Sequence, residues 1–150
     1  MGHVIRLTKL FSFEAAHALE GYDGACREIH GHSYKLYVTV KGEPVADERD
    51  PKFGMVMDFG DLKRIVNEQV VKPFDHAFVL RRTESNSGLY EQLRDRFERI
   101  VLLEFQPTCE NMLAEFARRI QRNLPERVKL HALRLHETET SYAEWFAEDN

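Results

Sequence analysis

The sequence predicts an α+β fold, with strand-like segments at both ends of the chain and two amphipathic helices between them, in the order β-β-α-α-β-β. Three observations carry this prediction. Residues 4–17 and 32–41 alternate apolar and polar side chains over long runs. Asp58 and Thr108 each stand at a cap position ahead of an apolar stripe of helical period. Residues 128–136 and 142–146 return to strand composition. This order predicts a four-stranded antiparallel sheet with both helices on one side. Its open edges favour pairing with other copies, so a homo-oligomer is expected.

In the first strand Ile5, Leu7, Phe11, Phe13 and Ala15 share one parity, and His17 continues it. In the second, His32, Tyr34, Leu36, Val38 and Val40 share one face, while Ser33, Lys35, Tyr37, Thr39 and Lys41 take the other. The polar stretch from Gly42 to Phe53, with Pro44 and Pro51, reads as a loop. Asp58 then caps a helix, with Asp61 three residues on in a variant of the capping box. Leu62, Ile65, Val66 and Val70 form its stripe, which stops near Pro73. Arg81 to Phe97 is charged, with Leu89, Leu93 and Phe97 at helical spacing, and reads as a short surface helix within an insertion near 81–99. A strand-like Ile100–Leu103 follows. Thr108, after Pro107, caps the second main helix, whose stripe is Leu113, Phe116, Ala117, Ile120 and Leu124. The closing hairpin turns at Thr138–Ser141 without a glycine.

A chain of 150 residues suits one domain, 1–150, with a real core. Its net charge of −4 leaves no electrostatic footprint for nucleic acid. No apolar run approaches the ~18 residues of a membrane span, and the strand-like N-terminus lacks a signal-peptide h-region. The two cysteines, Cys26 and Cys109, read as reduced thiols, and the expected compartment is the cytoplasm.

The densest chemistry lies in Cys26-Arg27-Glu28-Ile29-His30-Gly31-His32, with His17 just upstream in Phe13-Glu14-Ala15-Ala16-His17. His30 and His32 are two apart, so on a strand both imidazoles leave one face. A neighbouring strand that carries His17 would complete a three-histidine set. Three neutral imidazoles with an open fourth position are the usual catalytic zinc arrangement, whereas structural zinc sites close with four protein ligands. Cys26 could then stand beside the metal as a thiolate base.

Six segments occur in a fixed order: Phe13-x-Ala-Ala-His17, Cys26-x-x-x-His30-Gly-His32, Met57-Asp58-Phe59, Phe74-Asp75-His76, Pro107-Thr108-x-Glu110-Asn111 and His136-Glu137-Thr138. Together they closely resemble the 6-pyruvoyltetrahydropterin synthase and 6-carboxytetrahydropterin synthase family, over nearly the whole chain. The resemblance implies a tunnelling fold, in which subunits join their sheets into a barrel, here a hexamer of two trimers, with active sites between subunits. It implies Zn2+ on His17, His30 and His32, Cys26 as catalytic base, and a relay through Asp75 and His76. Glu137 would anchor the pterin ring and join the charge relay, with Glu110 in support. The implied substrate is 7,8-dihydroneopterin triphosphate, a small-molecule partner; Lys35, Arg27, Arg81 and Arg82 are candidate triphosphate contacts. The compact Cys-x-x-x-His-Gly-His spacing and short chain look more like the carboxy-forming group, which cleaves the side chain and releases acetaldehyde. The alternative product is 6-pyruvoyltetrahydropterin, and a zinc-stabilised, non-catalytic pterin-binding module is the reading from another class. The insertion near 81–99 departs from the shortest members of the family.

Overall fold

Alternation on two long neighbouring strands gives the chain its central ladder. In the computed structural model, which describes residues 2–150, β1 (Ile5–His17) and β2 (His30–Gly42) pair antiparallel along their whole length, from Ile5 opposite Gly42 to His17 opposite His30. β5 (Lys129–Thr138) pairs antiparallel with β2, and β6 (Ser141–Phe146) with β5. These are the four antiparallel strands expected. The sheet then continues past β1 by two short parallel strands, β3 (Ala77–Arg81) and β4 (Ile100–Leu103), so it has six strands in the order β4-β3-β1-β2-β5-β6. The antiparallel four-strand expectation is thus extended to a mixed sheet.

One face of the sheet is apolar and carries the helices. Phe11, Phe13, Ala15, Tyr34, Leu36, Val38, Val40, Leu133 and Leu135 point into a core shared with α1 (Phe59–Val66) and α4 (Cys109–Gln121). α1 brings Leu62, Ile65 and Val66, and α4 brings Met112, Leu113, Phe116, Ala117 and Ile120. Leu124, assigned to the second helical stripe, lies beyond the end of α4 but still packs against the core. α3 (Glu84–Leu93) buries no residue, as suits a charged surface helix. No helix among the described residues is long and apolar enough to cross a membrane.

The caps sit where the sequence puts them. Asp58 accepts from the Gly60 amide at 2.7 Å, and Thr108 accepts from Asn111 N–H at 3.2 Å. The expected return bond of a capping box is not among the hydrogen bonds of the described residues. Asp61 instead faces Lys52, 4.0 Å away. The first helix also outruns its expected stop. It passes through a π turn (Asn67–Val71) into α2 (Lys72–Phe74), so Pro73 lies inside the last turn. Proline has no N–H to give the carbonyl four residues back. That carbonyl, on Gln69, accepts from Arg119 of α4 at 3.3 Å instead. The same guanidinium lies over the Phe74 ring, 5.1 Å from its centroid, and bonds Glu115 at 2.8 Å. The glycine-free turn after β5 is held by Thr138 Oγ1, which accepts from the Thr140 amide at 3.3 Å.

Phe116 is fully buried, edge-on to Phe13 at 5.9 Å and to Phe74 at 5.0 Å between ring centroids. It therefore ties the helix end to the sheet. Phe116→Ala should cost about 3–5 kcal/mol of stability through lost transfer and a residual cavity. Urea unfolding checks this; a loss under ~1 kcal/mol would mean that the core closes around the gap.

Candidate metal centre

The register of β1 on β2 assembles the candidate site. His17 is directly opposite His30, and Ala15 opposite His32, so the three imidazoles meet at the helix-covered face. Their ring centroids lie 4.5, 5.0 and 5.2 Å apart. One nitrogen from each comes within 4.8 Å of the others. His17 is 2 % exposed, the one buried polar or charged residue of the core among the described residues.

Backbone carbonyls orient two of the rings. His17 Nδ1 donates to the Pro107 carbonyl at 2.8 Å, and His30 Nδ1 donates to the Glu28 carbonyl at 2.7 Å. A carbonyl oxygen only accepts, so these contacts place the proton of each neutral ring on Nδ1 and leave a lone pair on Nε2. The two Nε2 atoms are 2.9 Å apart. Two lone pairs facing at that distance repel unless a cation or proton lies between them. His32 Nε2 is buried and has no hydrogen-bond partner among the described residues. Three converging nitrogens, two with fixed tautomers and one orphaned, fit a single divalent ion of the imidazole-binding kind. Glu137 completes the electrostatics. It lies on the same strand parity as Leu133 and Leu135, and its Oε1 is 3.6 Å from both His17 Nε2 and His32 Nε2.

Burial is the main cause that holds the His17 imidazole below its ordinary range, with His30 and His32 adding to it and the Pro107 contact and Glu137 opposing. His32 is lowered too, first by burial and then by His30, against Glu137.

Tyr34 is a site feature that sequence reasoning passed over as core. Its ring stacks on Phe13 and stands edge-on to His32 at 5.5 Å. Its buried hydroxyl is unpartnered among the described residues, and burial keeps its pKa far above the usual phenol range. Pro107 precedes a helix and opens the Pro107-Thr108-x-Glu110-Asn111 segment, and its carbonyl orients His17. Asn111 Nδ2 braces this turn by donating to the Gln106 carbonyl at 3.0 Å.

The other expected site residues are outside the three-histidine cluster. Cys26 is exposed in a 3-10 turn (Ala25–Arg27) of the β1–β2 loop. Glu110 is exposed in the first turn of α4. Cys109 is buried, donates its thiol to the Leu135 carbonyl at 3.4 Å, and is pushed up to about 11, mainly by burial. Asp75 and His76 form a pair with Nδ1 and Oδ1 3.0 Å apart. Neighbours in sequence can meet this way only at a turn. His76 has φ +60°, the only positive value at a non-glycine among the described residues, and such a backbone costs of order 1–3 kcal/mol. Two bonds to Glu14 hold the turn: His76 N–H donates to the Glu14 carbonyl at 2.5 Å, and Asp75 Oδ1 accepts from the Glu14 amide at 2.9 Å. That amide is the first cause of a carboxyl held below the usual range, helped by His76 and Arg99. His76 lines a cleft of about 350 Å³ with Glu14, Ala16, Gly31 and Ser33 of the sheet's helix-free face, and His32 of the imidazole trio borders the same cleft. His32 thus borders both the imidazole trio and the cleft that His76 lines.

Fold and site together define a mixed-sheet protein with three clustered histidines that could hold a metal at the end of its central hairpin. The chain belongs to the 6-pyruvoyl tetrahydropterin synthase family, whose model matches residues 6–148. It is 35 % identical over 143 residues to the 6-carboxy-5,6,7,8-tetrahydropterin synthase of Haemophilus influenzae, covering 95 % of this chain and 99 % of that protein. The protein of the same name from Aquifex aeolicus is 32 % identical, with 93 % and 96 % covered. Among solved structures, Caenorhabditis elegans 6-pyruvoyl tetrahydropterin synthase superposes with a TM-score of 0.69 at 22 % identity, over 97 % of this chain and 96 % of that one. This last likeness is one of fold.

The lowered imidazoles give a pH dependence with a definite sign. The unfolded chain protonates its histidines near pH 6.5, while folded His17 and His32 stay neutral to lower pH. The unfolded state then binds more protons, so the stability these two groups give is full above about pH 6.5 and is lost as pH falls through their folded values. The urea midpoint of metal-free protein should drop between pH 7 and pH 5. The drop should shrink in the His17→Gln, His32→Gln double variant; an equal drop in both proteins would contradict the assignment.

Proposed function

We propose that this protein is a zinc-dependent 6-carboxy-5,6,7,8-tetrahydropterin synthase, converting 7,8-dihydroneopterin triphosphate and water to 6-carboxytetrahydropterin, acetaldehyde and triphosphate. The observation that carries the metal is the trio His17, His30 and His32, with lone pairs converging on one point. The choice of the carboxy-forming reaction is supported by full-length relatives of that name at about one-third identity.

Zinc held by the three imidazoles would supply a Lewis acid for the hydroxyl-bearing side chain of the substrate. The chain's own groups supply recognition and proton transfer. Glu137 faces the same point from 3.6 Å. A carboxylate there can accept the ring N–H and the 2-amino group of a pterin as a pair. His76 has its Nδ1 turned to Asp75, which leaves Nε2 to take or give a proton. Cys26 is the proposed thiolate base; Cys109, buried and raised to about 11, is poorly suited to that work. Glu110 is a supporting contact. We assign the complete site to an assembly of copies, a hexamer of two trimers, as the family resemblance implies.

The first test is turnover of 7,8-dihydroneopterin triphosphate by the purified, zinc-loaded protein, with product analysis. Acetaldehyde and 6-carboxytetrahydropterin are expected; 6-pyruvoyltetrahydropterin without acetaldehyde would reassign the reaction, and no turnover would reject it. His17→Ala, His30→Ala and His32→Ala should each remove most bound zinc by metal analysis. Full stoichiometric zinc in all three would sink the metal assignment.

Cys26→Ala should keep its zinc yet lose about 10²–10⁴-fold in kcat, whereas Cys109→Ala stays near wild type. Equal kcat in the two variants would end the thiolate role. Glu137→Gln should weaken pterin binding by about 10–100-fold, the loss of one charge-assisted hydrogen bond. Calorimetry that gave wild-type affinity would remove Glu137 from recognition.

A further inference from the structure

The left-handed turn at His76 does not hold itself. A non-glycine residue at φ +60° persists only where its surroundings over-determine it. On the β1 side, the two hydrogen bonds to Glu14 do this. On the opposite side the turn meets Arg99, at the entry to β4. Arg99 Nε donates to the Asp75 carbonyl at 2.7 Å, and a terminal nitrogen of the same guanidinium donates to the Lys72 carbonyl. Lys72 and Asp75 bracket the helix end, and their carbonyls lack the intrahelical partners that a continuing helix would give them. One rigid fork therefore closes the helix and fastens the peptide that precedes His76.

The position of Arg99 is itself pinned. Its own carbonyl accepts from the Phe78 amide at 2.8 Å, in line with the β3–β4 ladder that starts at Phe78 opposite Ile100. The segment between β3 and β4, the insertion noted in the sequence, thus returns to the sheet at the residue that grips the Asp75–His76 turn. The Arg99 charge also helps to keep the Asp75 carboxyl ionised.

We propose that Arg99 is a positioning residue for the proton-relay pair: by forking the carbonyls of Lys72 and Asp75 it holds the turn in which His76 Nδ1 meets Asp75 Oδ1. This rests on the relay role proposed above for His76. It gives the 81–99 insertion a task in the reaction beyond covering the sheet edge. Arg96, three residues earlier, lines the neighbouring cleft and lies over Phe97, with its carbon 5.9 Å from the ring centroid, but has no part in the fork.

Three variants of the zinc-loaded protein test the proposal. Arg99→Ala removes the fork, Arg99→Lys keeps the charge without the planar fork, and Arg96→Gln is the control. Arg99→Ala should lower kcat by about 10–100-fold with KM little changed, since displacing a positioned group by ~1 Å can cost ~100-fold. Arg99→Lys should lose most of the same factor, and Arg96→Gln none. Ring 15N NMR supplies a readout that a general loss of stability would not move. In wild type the neutral His76 ring should carry its proton on Nδ1, facing Asp75, and both Arg99 variants should shift it toward the other tautomer. If Arg99→Ala does not fold, Arg99→Lys decides. Wild-type kcat and an unchanged His76 signature in Arg99→Lys would overturn the proposal, as would lost turnover with that signature intact. Should His76→Asn turn over normally, the relay reading fails by itself, and the NMR shift still reports whether Arg99 holds the turn.

Discussion

The register between β1 and β2 is the constraint on which the rest depends. A side-chain period of two means that a slip by one residue would send every apolar residue of a strand to the wrong face. Phe11, Phe13 and Ala15 on one strand, and Tyr34, Leu36, Val38 and Val40 on the other, make such a slip costly because each is buried. The same alternation carries His17 and His32 to the helix-covered side, with His30 directly across from His17. The candidate metal centre is therefore a continuation of the core pattern rather than an addition to it. Burial then favours the neutral, ligating form of His17 and His32.

The other face of the sheet carries different chemistry. Glu14 and Ser33, hydrogen-bonded to each other at 2.7 Å, face away from the helices, and the Asp75–His76 turn sits beside them. Glu14 links the two sides. Its backbone bonds the turn, while its neighbours Phe13 and Ala15 are core. A change in the β1 backbone would thus be felt both at the imidazoles and at the pair, which meet at the cleft lined by His32 and His76.

Much of this was legible in the residues, for physical reasons that can be named. The long strands, both caps and the helical stripes follow from periodicity and cap chemistry, and the three histidines from a shared parity. What stayed hidden depended on backbone atoms or on distant pairings. β3 is five residues long, pairs parallel, and lies between a helix end and a charged segment, so no alternation announces it. The helix runs on through Pro73 because a π turn and Arg119 accommodate it. The carbonyls of Pro107 and Glu28 orient His17 and His30, and a carbonyl has no residue type to read. Tyr34 looks like any core aromatic until its hydroxyl is found without a partner. The relay through Asp75 and His76 is expected from resemblance alone, whereas Cys26 beside the imidazoles is also read from its spacing; none of the three is in the three-histidine cluster.

The three imidazoles all belong to one hairpin, residues 5–42. A hairpin forms in microseconds, whereas β3 must find β1 across some sixty residues of chain and so pairs later. The ligand set would thus be gathered while most of the sheet is still unmade. A cation that binds only when His17 faces His30 stabilises that register by mass action and leaves slipped ladders unaided. An ion captured this early would act as a proofreader of strand alignment during folding, well before any substrate arrives.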